Sequence, residues 1–132
     1  MVERLVARWG ARIAVGVDAR GGKVATRGWR EVSDLDGVAF CRRLADAGIK
    51  TVIYTDIGRD GALSGTNLEV YARLSGISGL QVIASGGVSF ESEIAALHDM
   101  GLYGCILGKA LYAGKLRLER ALAIARGEAQ PC

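Results

Sequence analysis

Four short apolar runs, at residues 13–17, 51–55, 81–84 and 104–107, alternate along the chain with stretches of helical period. Each run is apolar on consecutive positions, the pattern of a strand buried on both faces in a helix-covered parallel sheet. The intervening segments predict helices. Ser33-Asp34 opens one by capping its free N–H groups; Leu35, Val38, Leu44 and Ala45 form its apolar stripe, and Gly48 closes it. Asn67 caps a second, with Leu68, Tyr71, Ala72 and Leu74 inward and Gly76 at its end. Ser89 caps a third that runs through Ile94, Leu97 and Met100 to Gly101. A fourth spans about 116–125, and a short helix over 2–9 precedes the first strand. The order α-(βα)4 implies right-handed parallel crossovers.

Polar and glycine-rich clusters follow the C-terminal end of every predicted strand: 18–22, 56–65, 85–89 and 108–114. Open α/β sheets and (βα)8 barrels both bind ligands at that end. A complete barrel needs about 250 residues. The predicted fold is therefore α/β, with four parallel strands and covering helices in one domain spanning residues 1–132, forming an open sheet or, at this length, about half of a (βα)8 barrel.

Composition narrows the function. Half of the 132 residues are hydrophobic and the formal charge is only +3, which excludes disorder. Seventeen basic and fourteen acidic residues are spread without a run, which argues against a nucleic-acid partner. No apolar stretch approaches the roughly 18–20 residues of a membrane span, and Met1-Val2-Glu3-Arg4 does not open a secretory signal. The three cysteines, Cys41, Cys105 and Cys132, are odd in number and share no metal-ligand spacing. A reduced, cytoplasmic setting and no metal are expected.

Three clusters carry candidate chemistry. The third strand ends in Ser85-Gly86-Gly87 and the fourth in Leu107-Gly108-Lys109. Such glycines let backbone N–H groups approach an anion, and paired turns of this kind hold phosphates in (βα)8 barrels; they also serve simply as tight turns. The loop after the second strand holds Asp56, Arg59, Asp60 and three glycines, so one carboxylate can work as a general acid while one can bond its own backbone as a turn former. Asp18, at the end of the first strand, suits substrate orientation or pairing with a nearby Arg or Lys. Arg27-Gly28-Trp29 can clamp an anionic or planar group by charge and stacking, or lie solvated. His98, the single histidine, falls mid-helix away from every strand end, which excludes Ser/His and Cys/His catalysis.

The stretches 17–29 (VDARGGKVATRGW), 54–67 (YTDIGRDGALSGTN), 84–88 (ASGGV) and 107–112 (LGKALY) occur in order and spacing. Together they closely resemble the C-terminal half of the phosphoribosylformimino-aminoimidazole carboxamide ribotide isomerase family of histidine biosynthesis. The resemblance covers essentially the whole chain. It implies a (βα)8 barrel of two similar halves and an Amadori rearrangement of a ribotide substrate with two phosphates, without a cofactor. It assigns Asp60 as the general acid that helps open the ribose ring, with Asp18 and Thr55 lining the site. Ser85, Gly86, Gly87, Gly108 and Lys109 would bind one phosphate, and Arg27 and Trp29 the substrate. The family's base and second phosphate site belong to the N-terminal half, so this half alone is expected to be nearly inactive. Unpaired sheet edges then predict self-association or assembly with a complementary N-terminal half. Three rival readings are the related cyclase subunit, a non-catalytic phosphate-binding half-barrel, and an isomerase that also accepts phosphoribosyl anthranilate. Thr55-Asp56-Ile57 and Arg27-Gly28-Trp29 stand against the cyclase.

Overall fold

In a computed structural model describing residues 1–132, α1 (Val2–Trp9) and a 3₁₀ turn (Gly10–Arg12) lead into β1 (Ala14–Arg20). An antiparallel hairpin follows, β2 (Lys23–Thr26) and β3 (Glu31–Asp36), in a stretch for which the sequence pattern predicts neither strand. The remaining elements are α2 (Gly37–Asp46), β4 (Thr51–Asp56), α3 (Leu68–Ser75), β5 (Gln81–Ser85), α4 (Glu91–Asp99), β6 (Gly104–Cys105), α5 (Lys109–Tyr112) and α6 (Leu118–Ala125). One open sheet has the order β3-β2-β1-β4-β5-β6, in which β1, β4, β5 and β6 run parallel. The architecture is α/β and corresponds to part of a (βα)8 barrel whose sheet is not closed.

Only one face of the parallel sheet is covered. Val17, Val52, Tyr54, Val82 and Ala84 are buried there against Val38, Cys41 and Leu44 of α2, Tyr71 and Leu74 of α3, Ile94 and Leu97 of α4 and Ile124 of α6. Ile53, Ile83 and Ile106 lie on the other face; the first two are half-buried and Ile106 is exposed. The expectation of strands buried on both faces is corrected: continuous apolar runs remain, but helices cover one side alone. Burial pushes the Cys41 thiol up to about 12, with Asp36 adding to the shift, so this cysteine behaves as a small core hydrophobe.

Several helix boundaries also shift. The start of α2 is capped by Asp36, whose carboxylate accepts the Ala39 N–H at 2.8 Å. Ser33 instead donates to the Val24 carbonyl inside the hairpin at 2.8 Å, and Leu35 belongs to β3. Gly37 is required here, because a Cβ would fall 2.7 Å from the hydroxyl of the fully buried Tyr54. Asn67 caps α3 as expected, accepting the Val70 N–H at 3.2 Å, and Gly48 follows α2 at φ 97°. Ala72 is exposed, Val70 taking the inward place. Ser89 does not cap α4 with its side chain; Glu93 does, as described below. The fourth strand is only two residues long, and α6 begins at Leu118.

α4 and α6 are joined by an ion pair. Arg120 Nε donates to Glu91 Oε1 at 2.9 Å, and the Cys132 N–H reaches Oε2 at 3.0 Å. The Arg120 hydrogen bonds are the main reason that the Glu91 carboxyl falls from its ordinary 4.5 to about 2. A carboxyl depressed on folding stabilises the fold above its unfolded value, so this contribution is lost as pH falls from 4.5 towards 2. Arg120→Ala should raise the Glu91 midpoint from about 2 towards 4.5 in a carboxyl NMR titration, with the Cys132 N–H still holding it below that value. An unmoved midpoint would contradict the assigned cause.

Candidate active site

The register of the parallel ladder pairs Asp18 with Thr55 and Thr55 with Ser85, so the three side chains stand in a row at the strand C-termini. They share the face that no helix covers. The Asp18 carboxylate accepts the Trp29 indole N–H at 2.8 Å. Asp18 therefore pairs with neither an Arg nor a Lys. Trp29 reaches it from the β2–β3 turn, where Arg27, Gly28 and Trp29 take φ values of 53°, 64° and 72°. Two non-glycine residues in this left-handed region cost on the order of 1–3 kcal/mol each. Arg27 turns away to an exposed pair with Glu31 at 3.3 Å, so the Arg and Trp of this motif do not form one clamp here.

The two carboxylates after β4 divide their roles. Asp56 is buried on the helix side; its Oδ1 accepts the Gly58 N–H at 3.1 Å, and its Oδ2 accepts from the Asn67 side chain at 2.9 Å. It is the turn former. Asp60 is exposed, its carboxylate makes no hydrogen bond or ion pair within the chain, and it lines a cavity of about 50 Å³. Ser85, Gly86, Gly87, Gly108 and Lys109, all expected from the sequence, line the same cavity, together with Ser89.

Backbone packing explains the glycines. At Gly86, φ is 97° and a Cβ would lie 2.6 Å from the Asp56 carbonyl; at Gly87, φ is 81° and a Cβ would lie 2.7 Å from the carbonyls of Arg59 and Gly65. The turn is thus pressed directly onto the Asp60 loop. The N–H groups of Gly86, Gly87 and Val88 donate to no group of the chain. By contrast, those of Ser89 and Phe90 both donate to Glu93 Oε1, at 2.9 and 3.0 Å. No group of three or more His, Cys, Asp or Glu side chains comes together that could hold a metal ion.

Two residues important to this geometry were not singled out from the sequence as parts of the site. Glu93 is buried, and its second carboxylate oxygen accepts the Thr66 N–H. It is the third residue of α4 and reaches back to the Phe90 N–H as a capping glutamate does, but with Phe90 at the cap position the sequence carries no Ser/Thr-x-x-Glu signal for it. The Tyr71 hydroxyl bridges the ends of β4 and β5, lying 2.9 Å from the Tyr54 carbonyl and 2.7 Å from that of Ser85 while accepting the Ser85 N–H at 3.1 Å. Burial pushes its phenol well above the usual range, so it stays a neutral strut. Its inward position was read; the bridging hydroxyl was not.

Residues 1–117 match the family model described as "Histidine biosynthesis protein". Curated relatives named 1-(5-phosphoribosyl)-5-((5-phosphoribosylamino)methylideneamino)imidazole-4-carboxamide isomerase are similar to this chain. The protein of Brachyspira hyodysenteriae is 46% identical over 92% of this chain and 51% of its own length. That of Clostridioides difficile is 45% identical over 92% and 50%, and that of Listeria monocytogenes 50% identical over 81% and 45%. The chain spans about half the length of the curated relatives it matches.

Gly87→Ala tests the packing of the turn. The added methyl meets two backbone carbonyls at 2.7 Å with φ at 81°, so neither neighbour can yield cheaply. A loss of about 1–3 kcal/mol in denaturant unfolding is expected, with amide shifts at Arg59 and Gly65. Unchanged stability would mean that the turn and loop are not in contact.

Proposed function

Since the chain belongs to the histidine biosynthesis protein family, we propose that it forms the C-terminal half-barrel of an isomerase acting on a doubly phosphoribosylated imidazole carboxamide. The observation that carries this reading is the cavity in which three unpartnered amides, Gly86, Gly87 and Val88, meet Lys109 beside the unpaired carboxylate of Asp60. Free N–H donors with an ammonium group suit one substrate phosphate. Ser85 and Gly108 complete its surroundings.

In the proposed reaction Asp60 donates a proton to the ribose ring oxygen as the bond from that oxygen to C1 breaks. The electron pair of that bond goes to the oxygen, and the amino nitrogen lone pair forms a C1 imine. A base then removes the proton from C2 to give an enolaminol, and protonation at C1 with loss of the C2 hydroxyl proton to a carboxylate leaves the C2 ketone and a C1–N single bond. Asp18 and Thr55, in one row on the open face, orient the sugar hydroxyls; Trp29 and Arg27 contact the substrate from the hairpin. For that contact Trp29 must exchange its Asp18 partner for the ligand.

The base belongs to a second half-barrel, which would also cover the apolar open face and pair the free edge of β6 and the start of β1, which β2 meets only at Ala19 and Arg20. A complementary N-terminal half or a second copy of the chain can fill this role. In the second case a carboxylate of the other copy acts as the base.

Turnover and sedimentation of the purified chain, measured alone and with an added N-terminal half, test the reading. The chain alone should be associated or nearly inactive, and turnover should appear on completion. Asp60→Asn should then lower turnover by roughly 10²–10⁴-fold, while the affinity for inorganic phosphate stays within about twofold. Full activity of that variant would remove Asp60 from the role of acid. Phosphate binding without turnover in any assembly would favour a non-catalytic half-barrel. Equal turnover of phosphoribosyl anthranilate would establish a dual substrate range.

A further inference from the structure

We propose that Glu93 is a positioning residue that locks the Asp60 loop and the glycine turn into one unit, so that the acid is placed relative to the phosphate it works beside. This deepens the isomerase reading and rests on it for the roles of Asp60 and the turn. Glu93 Oε1 accepts the N–H groups of Ser89 and Phe90, where the turn passes into α4. Oε2 accepts the N–H of Thr66, at the far end of the loop that carries Asp60. The two oxygens of one buried carboxylate therefore serve two different segments, twenty-odd residues apart in sequence.

Neighbouring contacts make this junction directional. Thr66 Oγ1 donates to the Gly86 carbonyl at 2.8 Å, and Arg59 donates to the Gly65 carbonyl at 3.3 Å. Gly65 takes φ 107°, and a Cβ there would lie 3.1 Å from Glu93 Oε2. Glu93 also occupies the Ser89 and Phe90 amides, so the donors left free for an anion are those of Gly86, Gly87 and Val88. One carboxylate thus selects which amides face the ligand and where the acid loop ends.

Glu93→Gln separates these functions, because glutamine offers one acceptor oxygen and its amide N–H₂ cannot accept. The oxygen is expected to stay with the two donors of Ser89 and Phe90, leaving Thr66 without an acceptor. In amide hydrogen exchange of the full chain, Thr66 should exchange on the order of tenfold faster or more, with loop residues 61–65 following. Ser89, Phe90 and the β4–β5 core should keep their protection. Gly65→Ala, which crowds Oε2 from the loop side, should reproduce the loop loosening. Unchanged exchange at Thr66 in both variants overturns the proposal, as does an equal loss of protection throughout the core, which would mark a purely structural role.

Under conditions that give turnover, Glu93→Gln should lower kcat roughly tenfold while KM stays within about twofold, since a misplaced acid slows the chemical step more than it weakens binding. A loosened loop with unchanged kcat overturns the positioning role. Absence of turnover in every assembly of the parent chain, including that with an added N-terminal half, sinks the isomerase reading itself, while the exchange pattern still decides whether Glu93 joins the two segments.

Discussion

Everything at the site depends on the parallel register of β1, β4 and β5. Because Asp18 pairs with Thr55 and Thr55 with Ser85, three polar side chains leave the same face at the same height. A shift of one residue in β1 would send Asp18 to the helix side and Val17 to the open side. The apolar partners oppose that slip: Val17, Tyr54 and Ala84 are all buried in the one core cluster. Burial of one face thus sets the chemistry of the other.

The loops beyond the strands are held by a small set of polar ties. Asp56 bonds the Gly58 N–H and the Asn67 side chain, Thr66 reaches Gly86, Tyr71 spans the ends of two strands, and Glu93 bridges loop to helix. A buried carboxylate or hydroxyl left unpaired would cost a few kcal/mol. Each of these groups is satisfied, and no buried side-chain polar atom of the chain lacks a partner. The long loop after β4 is accordingly a built structure, from which Asp60 projects without a partner of its own.

The same architecture leaves one side unfinished. Ile53, Ile83 and Ile106 sit on a sheet face that no helix covers, and apolar Leu118 and Leu122 of α6 are also exposed. Open sheet edges and uncovered apolar faces tend to find partners. No helix of the chain is long and apolar enough to cross a membrane. The chain spans about half the length of the curated relatives it matches, and its sheet is open at β3 and β6.

Periodicity sufficed for the strand–helix order, the Asn67 cap, the glycine after α2 and the clustering of polar residues at strand ends, because these are local or depend on burial alone. The motifs in the loops were enough to identify the family. The β2–β3 hairpin escaped notice because its strands are short and largely polar, and Ser33 was read as a cap when its hydroxyl was engaged across the hairpin. Spacing could not decide between Asp56 and Asp60, since both are aspartates in one glycine-rich loop; only the placement of Asn67 and the helix-side burial of Asp56 make it the turn former. Trp29 as the partner of Asp18 and Glu93 as the acceptor for two segments were likewise decided by tertiary structure. Each depends on which distant backbone or side chain arrives at a given point, and hydrophobic pattern encodes the burial of a residue but not the identity of what it meets.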